Sequence, residues 1–192
     1  MQGNVLAGGW REAFANTLWK VHQKFSIGVA RLLDYIDISK QYSNRLIEPH
    51  SYVDVLMTGT EWDNFIEQRD SPHAQFEIQV VARQIKLYMK YHQPDVLKEF
   101  EWHLPFVTDE EKAEFDIYTL IRLSAARCAR TSYSNQNKKS QEDDIALYDK
   151  LTQSGHWSPL EHQAQCIDVV KSGNFDGWAQ WRQMAQNKVT PQ

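Results

Sequence analysis

The sequence predicts an α+β fold that is mostly helical and carries a small mixed sheet. Three segments, which start near residues 10, 76 and 141, repeat apolar residues at three- and four-residue steps. This spacing places apolar side chains on one face of a helix. Residues 52–57 instead alternate apolar and polar side chains, as a half-buried strand does. We therefore expect long helices packed around a short sheet.

Length and composition favour one folded domain. The chain has 192 residues, of which 42% are hydrophobic, and it includes seven Trp and eight each of Tyr and Phe. This is enough apolar material for a core, and we assign residues 10–192 to a single domain. Residues 1–9 are Gly-rich and lack periodicity, so we expect a flexible N-terminal segment there.

The composition also disfavours several classes of function. No apolar run approaches the roughly 20 residues of a membrane span, and the N-terminus lacks a basic-then-apolar signal, so we expect a cytoplasmic protein without membrane association. Cys128 and Cys166 are too few for a disulfide framework. The net charge of −4 supplies no basic field for DNA or RNA. An anionic ligand would therefore need a few placed arginines.

Residues 10–38 form the first predicted helix. Its apolar stripe is expected to face the core, and Gly28 allows either a kink or two helices. The stripe consists of Trp10, Phe14, Leu18, Val21, Phe25, Val29, Leu32 and Ile36. Arg45 follows in a break before Pro49, and taken alone it is typical of an ordinary surface arginine.

Residues 58–79 contain more polar side chains suited to binding or catalysis than any other stretch of similar length. Asn64 and Arg69 lie five apart on a predicted short helix. We expect Ser71 and Pro72 to end that helix and to start the next one, because Ser suits an N-cap and Pro the first helical position. Arg69 beside a helix N-terminus could hold an anion. The alternative is that Arg69 pairs with a neighbouring carboxylate.

The rest of the chain is predicted to be mainly helical. A core-facing apolar stripe runs along residues 76–91, and residues 102–105 form a loop or a short strand. Capping boxes at Thr108 and Ser140 open two further helices. Residues 175–182 are expected to form an aromatic helix that docks on the core.

Two more stretches carry candidate chemistry. In LSAARCARTSY, residues 123–133, Arg127 and Arg130 stand at a predicted helix C-terminus, where they could interact with the helix dipole. In GHWSPLEH, residues 155–162, a Glu stands between two His. A metal site is one interpretation of that stretch, but its spacing fits no standard zinc motif, and we assign no metal.

These stretches resemble segments of the flavin-dependent (ThyX-type) thymidylate synthases. NFIEQRDSPHAQFEIQ, residues 64–79, resembles the family's Asn-Phe-x-x-x-Arg … His-Ala-Gln-x-Glu-Ile-Gln run. The other two resemble its Ala-Ala-Arg-x-Ser-Tyr and Gly-His-x-Ser/Thr-Pro-x-Glu-His signatures. The resemblance covers about residues 10–182, in the order of a longer, permuted variant, and implies a ThyX-like fold. No His-Arg pair occurs in the chain, so the family's His-Arg-x-x-Ser-x-Asn-x-x-Ser-x-Arg run is missing.

The resemblance implies a site for dUMP and FAD. Arg45 and Arg69 would bind dUMP, and Arg69 would also be the catalytic residue that polarises it. The flavin would be contacted by Asn64, Ser132, His156, Ser158 and Glu161, with His162 in support.

The implied reaction is the reductive methylation of dUMP to dTMP, with methylenetetrahydrofolate as carbon donor and NADPH as reductant through FAD. The family also implies a homotetramer with shared flavin sites. Because the His-Arg run is missing, we expect this chain alone to be incomplete and to need a complementing N-terminal fragment. Two alternatives stay open: a non-catalytic nucleotide-binding or assembly module, and a related flavin enzyme that modifies the pyrimidine 5-position.

Overall fold

The computed structural model describes residues 8–132 and 139–187. The chain divides into two compact units, Met1–Val53 and Asp54–Gln192. The flexible segment expected at residues 1–9 falls mainly on residues 1–7, which lie outside the described residues. The assignment of residues 10–192 to one domain stays a prediction.

The first unit is built around one long helix. The helices are α1 (Gly9–Tyr35) and α2 (Lys40–Ser43), followed by two 3-10 turns, Asn44–Leu46 and Glu48–His50. The predicted first helix is therefore confirmed, and it continues past Gly28 without a break. Ser39 caps α2, since its Oγ accepts from the backbone N–H of Gln41 at 3.4 Å.

The apolar stripe of α1 does not face a core. Trp10 is 74% exposed and Phe25 is 71% exposed, and most other large apolar residues of the helix are also exposed, although Ile27, Val29 and Leu33 are half-buried. Within the described part of α1, only Ser26 is buried. The core-facing prediction is therefore wrong here, because a unit of this size has too few other elements to cover a helix of 27 residues.

The second unit combines six helices with a small sheet in the part of it that the structure describes. The helices are α3 (Trp62–Arg69), α4 (Phe76–Tyr91), α5 (Asp109–Glu114), α6 (Ile117–Ala129), α7 (Gln141–Gln153) and α8 (Trp181–Gln186). The strands are β1 (Trp102–His103), β2 (Ala164–Ser172) and β3 (Phe175–Gln180), in the order β1-β2-β3. This confirms the mostly helical α+β class. Both strand pairs are antiparallel, so the described sheet is not mixed.

Two secondary-structure predictions fail. Residues 52–57 form no strand, because no other strand of the described residues pairs with them. Residues 175–180 form β3 rather than the start of a helix, since they pair with β2 across the two-residue turn at Gly173 and Asn174. The predicted C-terminal helix therefore begins only at Trp181.

Helix starts in this unit follow the predicted capping chemistry. Thr108 and Glu111 form a complete capping box on α5, and Ser140 and Asp143 form another on α7. Asp116 caps α6, with its carboxylate accepting from two backbone N–H groups at 2.9 and 3.1 Å. Each cap satisfies backbone donors that a helix start otherwise leaves unpaired.

The core of the second unit lies where α6, α7, α8 and the 3-10 turn Ser158–Glu161 meet. Its buried members are Ile121, Ala125, Tyr148, Leu160 and Trp181. The Trp181 indole N–H donates to the Tyr148 hydroxyl at 3.1 Å, which satisfies a polar group inside the core. Burial raises the pKa of Tyr148 to about 12.

Helix α4 contributes little to this core. Its buried residues are Gln79 and Ala82, whereas its large apolar side chains are exposed: Phe76, Val80, Val81, Leu87, Tyr88, Met89 and Tyr91. The prediction that this stripe faces the core is wrong for the chain taken alone. None of the described helices is long and apolar enough to cross a membrane.

Candidate functional site

The turn at residues 155–161 is shaped by the way in which α7 ends. The N–H groups of Gly155 and His156 donate back to carbonyl oxygens of the last turn, at 3.2 and 2.9 Å, which is a Schellman end. Gly155 has a φ of 75°, a value that glycine adopts without steric cost. The 3-10 helix Ser158–Glu161 follows, and fully buried Leu160 anchors it in the core.

The residues predicted on this turn differ in how far they are free to bind a ligand. Ser158 is exposed, and the structure records no hydrogen bond of its hydroxyl among the described residues. His156 is also exposed, and its Nδ1 lies 3.1 Å from Ser154 Oγ. The Glu161 carboxylate forms an ion pair with Arg182. A ligand at Glu161 would therefore have to share that carboxylate with an arginine.

The loop at residues 58–60, here called the threonine loop, is fixed to the β2–β3 hairpin. The Thr60 N–H donates to Asn174 O at 3.1 Å, and the Asp176 N–H donates to Thr60 Oγ1 at 2.8 Å. The Asn174 side-chain amide donates to Thr58 O. The hairpin thus holds both ends of the loop.

Close packing against the hairpin explains why the centre of the threonine loop is a glycine. A Cβ added at Gly59 would lie 3.0 Å from Asn174 Nδ2 and 3.2 Å from Asn174 O. These separations are tighter than most Cβ contacts, so Asn174 would have to shift by a few tenths of an ångström to admit a side chain. A larger residue at Gly59 therefore requires the hairpin to adjust at Asn174.

A hydrogen bond joins the threonine loop to the end of the 155–162 stretch. It connects Thr58 Oγ1 with His162 Nδ1, across 104 residues of sequence. Burial lowers the pKa of His162, and the negative charge of Glu161 opposes this effect only in part. The imidazole is therefore neutral near pH 7 and can serve as a hydrogen-bonding group.

A cavity of about 260 Å³ opens beside the threonine loop. It is enclosed by the loop, the chain just before β1, His103 of β1 and two aromatic residues of β3. The lining residues are Met57, Thr58, Gly59, Thr60, Trp62, Asp95, Leu97, His103, Phe175 and Trp178. The cavity combines aromatic walls with a few polar groups, which is the usual composition of a small-molecule site.

Asn64 and Arg69 lie on the exposed side of α3. Among the described residues, neither side chain has a hydrogen-bond or ion-pair partner. The carboxylate next to Arg69, that of Asp70, is taken by Arg83 at 2.7 Å and by Lys86 at 3.3 Å. These two cations lower the pKa of Asp70, with the Arg83 hydrogen bond as the largest cause. The alternative in which Arg69 pairs with its neighbouring carboxylate is therefore wrong.

The helix start expected beside Arg69 lies further along the chain. Ser71 and Pro72 form a turn, in which the Ser71 Oγ accepts from the His73 N–H at 3.3 Å. Helix α4 begins only at Phe76, with Gln75 as its N-cap. Pro72 is thus not the first residue of the next helix, and backbone donors of α4 do not adjoin Arg69 in sequence.

Arg45 belongs to the first unit. It lies on the 3-10 turn Asn44–Leu46 and is exposed. Its side chain has no hydrogen-bond or ion-pair partner among the described residues. The guanidinium is therefore available to an anion, as the resemblance requires.

The arginines of the 123–133 stretch are used inside the fold. Arg127 holds both oxygens of Glu111, at 2.6 and 2.7 Å, and contacts Asp144 at 3.0 Å. Arg130 forms an ion pair with Asp144 as well. The Arg127 hydrogen bond is the largest cause that lowers the pKa of Glu111 to about 2. Ser132 is exposed and directly precedes residues 133–138, which lie outside the described residues.

The described residues offer no metal centre, and the buried Cys128 thiol is not activated. No group of three or more His, Cys, Asp or Glu in residues 8–132 and 139–187 could hold a metal ion. Cys128 is buried, and burial raises the pKa of its thiol to about 12, so it is protonated at neutral pH. Cys166 is half-buried on β2.

Sequence reasoning missed three residues of this region. His103 reaches the cavity because β1 pairs with the start of β2, opposite Ala164. Arg182 reaches Glu161, 21 residues away, because β3 returns the chain to the 3-10 turn. Thr58 reaches His162 across 104 residues because the threonine loop is fixed to the β2–β3 hairpin. These contacts depend on tertiary structure, and no local pattern encodes them.

Comparison of the chain with protein-family models, with curated protein sequences and with solved structures found no match in any of the three.

Proposed function

We propose that this chain is a flavin-dependent thymidylate synthase, or a piece of one, that binds dUMP and acts in its reductive methylation to dTMP. The observation that carries the proposal is the hydrogen bond between Thr58 and His162. It joins the segment that leads into the 64–79 stretch with the end of the 155–162 stretch. One stretch that resembles the family thus contacts the loop that leads into another within one unit, as parts of a shared site would. We place the activity in the cytoplasm.

Arg69 is the residue we assign to dUMP first. Its guanidinium is exposed and unpaired among the described residues, in a chain whose net charge is −4. A free arginine can hold a phosphate or a uracil oxygen with two parallel hydrogen bonds. Negative charge that develops on the uracil during the reaction would be stabilised electrostatically by Arg69. Arg45 is the second cation we assign to the nucleotide.

The chemistry of the thiols favours a flavin route over a cysteine nucleophile. Nucleophilic catalysis needs a thiolate, but Cys128 is held protonated by burial. When bound, FAD would supply the hydride transfer, with NADPH and methylenetetrahydrofolate as co-substrates. In this proposal, the protein contributes orientation and charge.

The described site fits only part of FAD. Asn64, Ser158 and the threonine loop offer neutral hydrogen-bonding groups, which suit a ring system or a ribose. A diphosphate needs cations, but Arg182 is already paired with Glu161, and Arg127 and Arg130 are used by buried carboxylates. We therefore propose that the missing positive charge comes from a second chain, either another copy in a homotetramer or an N-terminal fragment that bears the His-Arg run.

The exposed apolar faces favour a second candidate function, that of an assembly module without its own catalysis. Surfaces as apolar as the stripes of α1 and α4 are uncommon on proteins that stay monomeric. An assembly module need not bind a nucleotide. Whether dUMP binds to the chain therefore distinguishes this candidate function from the first.

The test is a calorimetric titration of the full chain with dUMP. Replacing Arg69→Gln should weaken binding roughly tenfold or more, because charged hydrogen bonds contribute about 1.5–3 kcal/mol each. Arg11→Gln is the matched control, since Arg11 is an exposed arginine that lies only over the Trp10 ring. Equal dissociation constants for the wild type and Arg69→Gln would remove Arg69 from the site. Absence of any dUMP binding would favour the assembly module.

Activity forms the second arm of the same test. Purified chain should retain little flavin and make no dTMP from dUMP, FAD, NADPH and methylenetetrahydrofolate. Addition of a fragment with the His-Arg run should restore both properties. Full dTMP synthesis by this chain alone would show that no second piece is needed.

A further inference from the structure

The cavity beside the threonine loop is large enough for a flat ring. Its volume is about 260 Å³, whereas a cavity of roughly 150 Å³ in another protein accommodates benzene. Trp62, Phe175 and Trp178 contribute aromatic side chains to the lining, and Leu97 adds an aliphatic one. Aromatic side chains stack readily on planar ligands.

The charges around the cavity disfavour an anion. Among the described residues, the lining contains one carboxylate, that of exposed Asp95, and no lysine or arginine. A phosphate would therefore meet repulsion with no compensating cation. The charges thus disfavour an anionic group in this cavity.

His103 is a half-buried polar group in the cavity whose ring nitrogens have no hydrogen-bond partner among the described residues. The hydroxyl of Thr58 forms a hydrogen bond with His162, and that of Thr60 accepts from the Asp176 N–H. Burial lowers the pKa of His103, so near pH 7 one ring nitrogen donates and the other accepts. His103 is therefore free to form a hydrogen bond with a ligand.

We propose that this cavity binds an uncharged planar heteroaromatic ring that stacks on its aromatic walls and hydrogen-bonds to His103. A nucleobase and a flavin ring share this chemistry. The assignment rests on the proposed function only in taking a nucleotide or a flavin as the natural source of the ring. Neither His103 nor Trp178 belongs to the stretches that resemble the synthase family.

The test uses ring compounds that carry no phosphate. Uridine, adenosine and lumichrome, an uncharged flavin ring, are each titrated into the full chain, and binding is followed by tryptophan fluorescence and by saturation-transfer NMR. At least one of them should bind to the wild type. The compound that binds most tightly identifies the source as a nucleobase or a flavin.

Two variants locate the binding in this cavity. His103→Phe keeps the bulk of the side chain but removes both nitrogens, and it should weaken ring binding roughly tenfold. His92→Phe, an exposed histidine stacked on Tyr88 outside the cavity, should bind as the wild type does. Leu97→Trp fills the cavity and should abolish binding, so the proposal stays testable if His103→Phe does not fold.

The outcomes separate this proposal from the proposed function. No ring binding by the wild type, or binding that neither His103→Phe nor Leu97→Trp changes, would overturn the ring site whatever dUMP does. Ring binding that is lost in these variants supports the site. If the wild type binds the ring compound but does not bind dUMP in the same preparation, the function proposal fails while the ring site stands.

Discussion

Helices α4 and α6 belong to the same unit but differ in how many of their residues are buried. Seven of the 13 residues of α6 are buried, whereas two of the 16 residues of α4 are. Both carry apolar residues at helical spacing, yet α6 lies against α7 and the 3-10 turn Ser158–Glu161, while α4 packs mainly on the short helix α3. Helical periodicity thus predicts which face of a helix will be buried, but it does not predict whether that face packs against the same chain or against another one.

The largest expected loss of stability comes from shortening a side chain on the buried face of α6. Ile121 is fully buried, and Ile121→Ala should destabilise the fold by about 3–4 kcal/mol, because it leaves a cavity in a close-packed core. Leu87→Ala on α4 is the matched control, since Leu87 is 48% exposed and its loss should cost no more than about 0.5 kcal/mol. Urea unfolding followed by circular dichroism measures both values. Similar losses at the two positions would mean that α4 is covered in solution.

A somewhat smaller effect is expected from the ion-pair network on α6. Arg127→Met removes the arginine from Glu111 and leaves Asp144 with Arg130 alone, which should cost about 3 kcal/mol at pH 7. Arg122→Met is the comparison variant, because its partner Asp149 is 46% exposed, and it should cost about 1 kcal/mol or less.

The same network should give the wild type an acid-dependent loss of stability. The pKa of Glu111 falls from 4.5 to about 2 in the folded chain, chiefly through the Arg127 hydrogen bond. Its contribution is therefore complete above pH 4.5 and disappears as the pH falls towards 2. Arg127→Met should flatten the stability curve in that window. If the dependence of stability on pH is the same in Arg127→Met as in the wild type, Arg127 is not the cause of the lowered pKa of Glu111.

The exposed apolar faces of α1 and α4 predict that the chain associates with other copies of itself. We expect light scattering to give a mass above 22.5 kDa that rises with concentration, because covering the large apolar side chains of α4 releases water. Tyr88→Glu, at a position 66% exposed, should reduce that mass without lowering the stability of the monomer. A mass of one chain at every concentration, with or without FAD, would contradict association.

The smallest effect concerns the two histidines near the threonine loop. Burial lowers the pKa values of His103 and His162 below the ordinary value of 6.5. The unfolded chain therefore takes up protons first, and stability should decline as the pH falls below 6.5. NMR titration of the ring protons measures both pKa values directly. A double variant with Gln at both positions should decline less over this range.

Local chemistry predicted the helix boundaries that are set by a capping box or a terminal glycine, but it placed the start of α4 at Ser71 and Pro72 instead of Phe76. The capping boxes at Thr108 and Ser140 and the glycine that ends α7 are encoded within a few residues, so the sequence identifies them directly. Residues 175–180 were assigned to a helix because their apolar pattern is short and ambiguous. Their pairing with β2 depends on a distant partner, which propensity does not describe.

The candidate site was predictable where it is local. The turn at residues 155–161 and the exposed Arg69 follow from short motifs and from the break after α3. His103 and Arg182 could not be assigned, because each reaches the site only through strand pairing. The arginines of the 123–133 stretch lie in a recognisable motif, but the motif does not identify their role. Their partners Glu111 and Asp144 lie 16 and 17 residues from Arg127, and the resulting ion pairs are structural.

The attachment of the threonine loop to the hairpin also fixes when the cavity can exist during synthesis. Thr60 and Asp176 are 116 residues apart, so a growing chain exposes the loop long before its support has been translated. Closing so long a segment costs chain entropy that only the finished second unit can offset. The cavity therefore forms only after β3 has been made. A chain truncated before β3 would lack the wall that Phe175 and Trp178 provide, and it would also lose Trp181 from the core around α6.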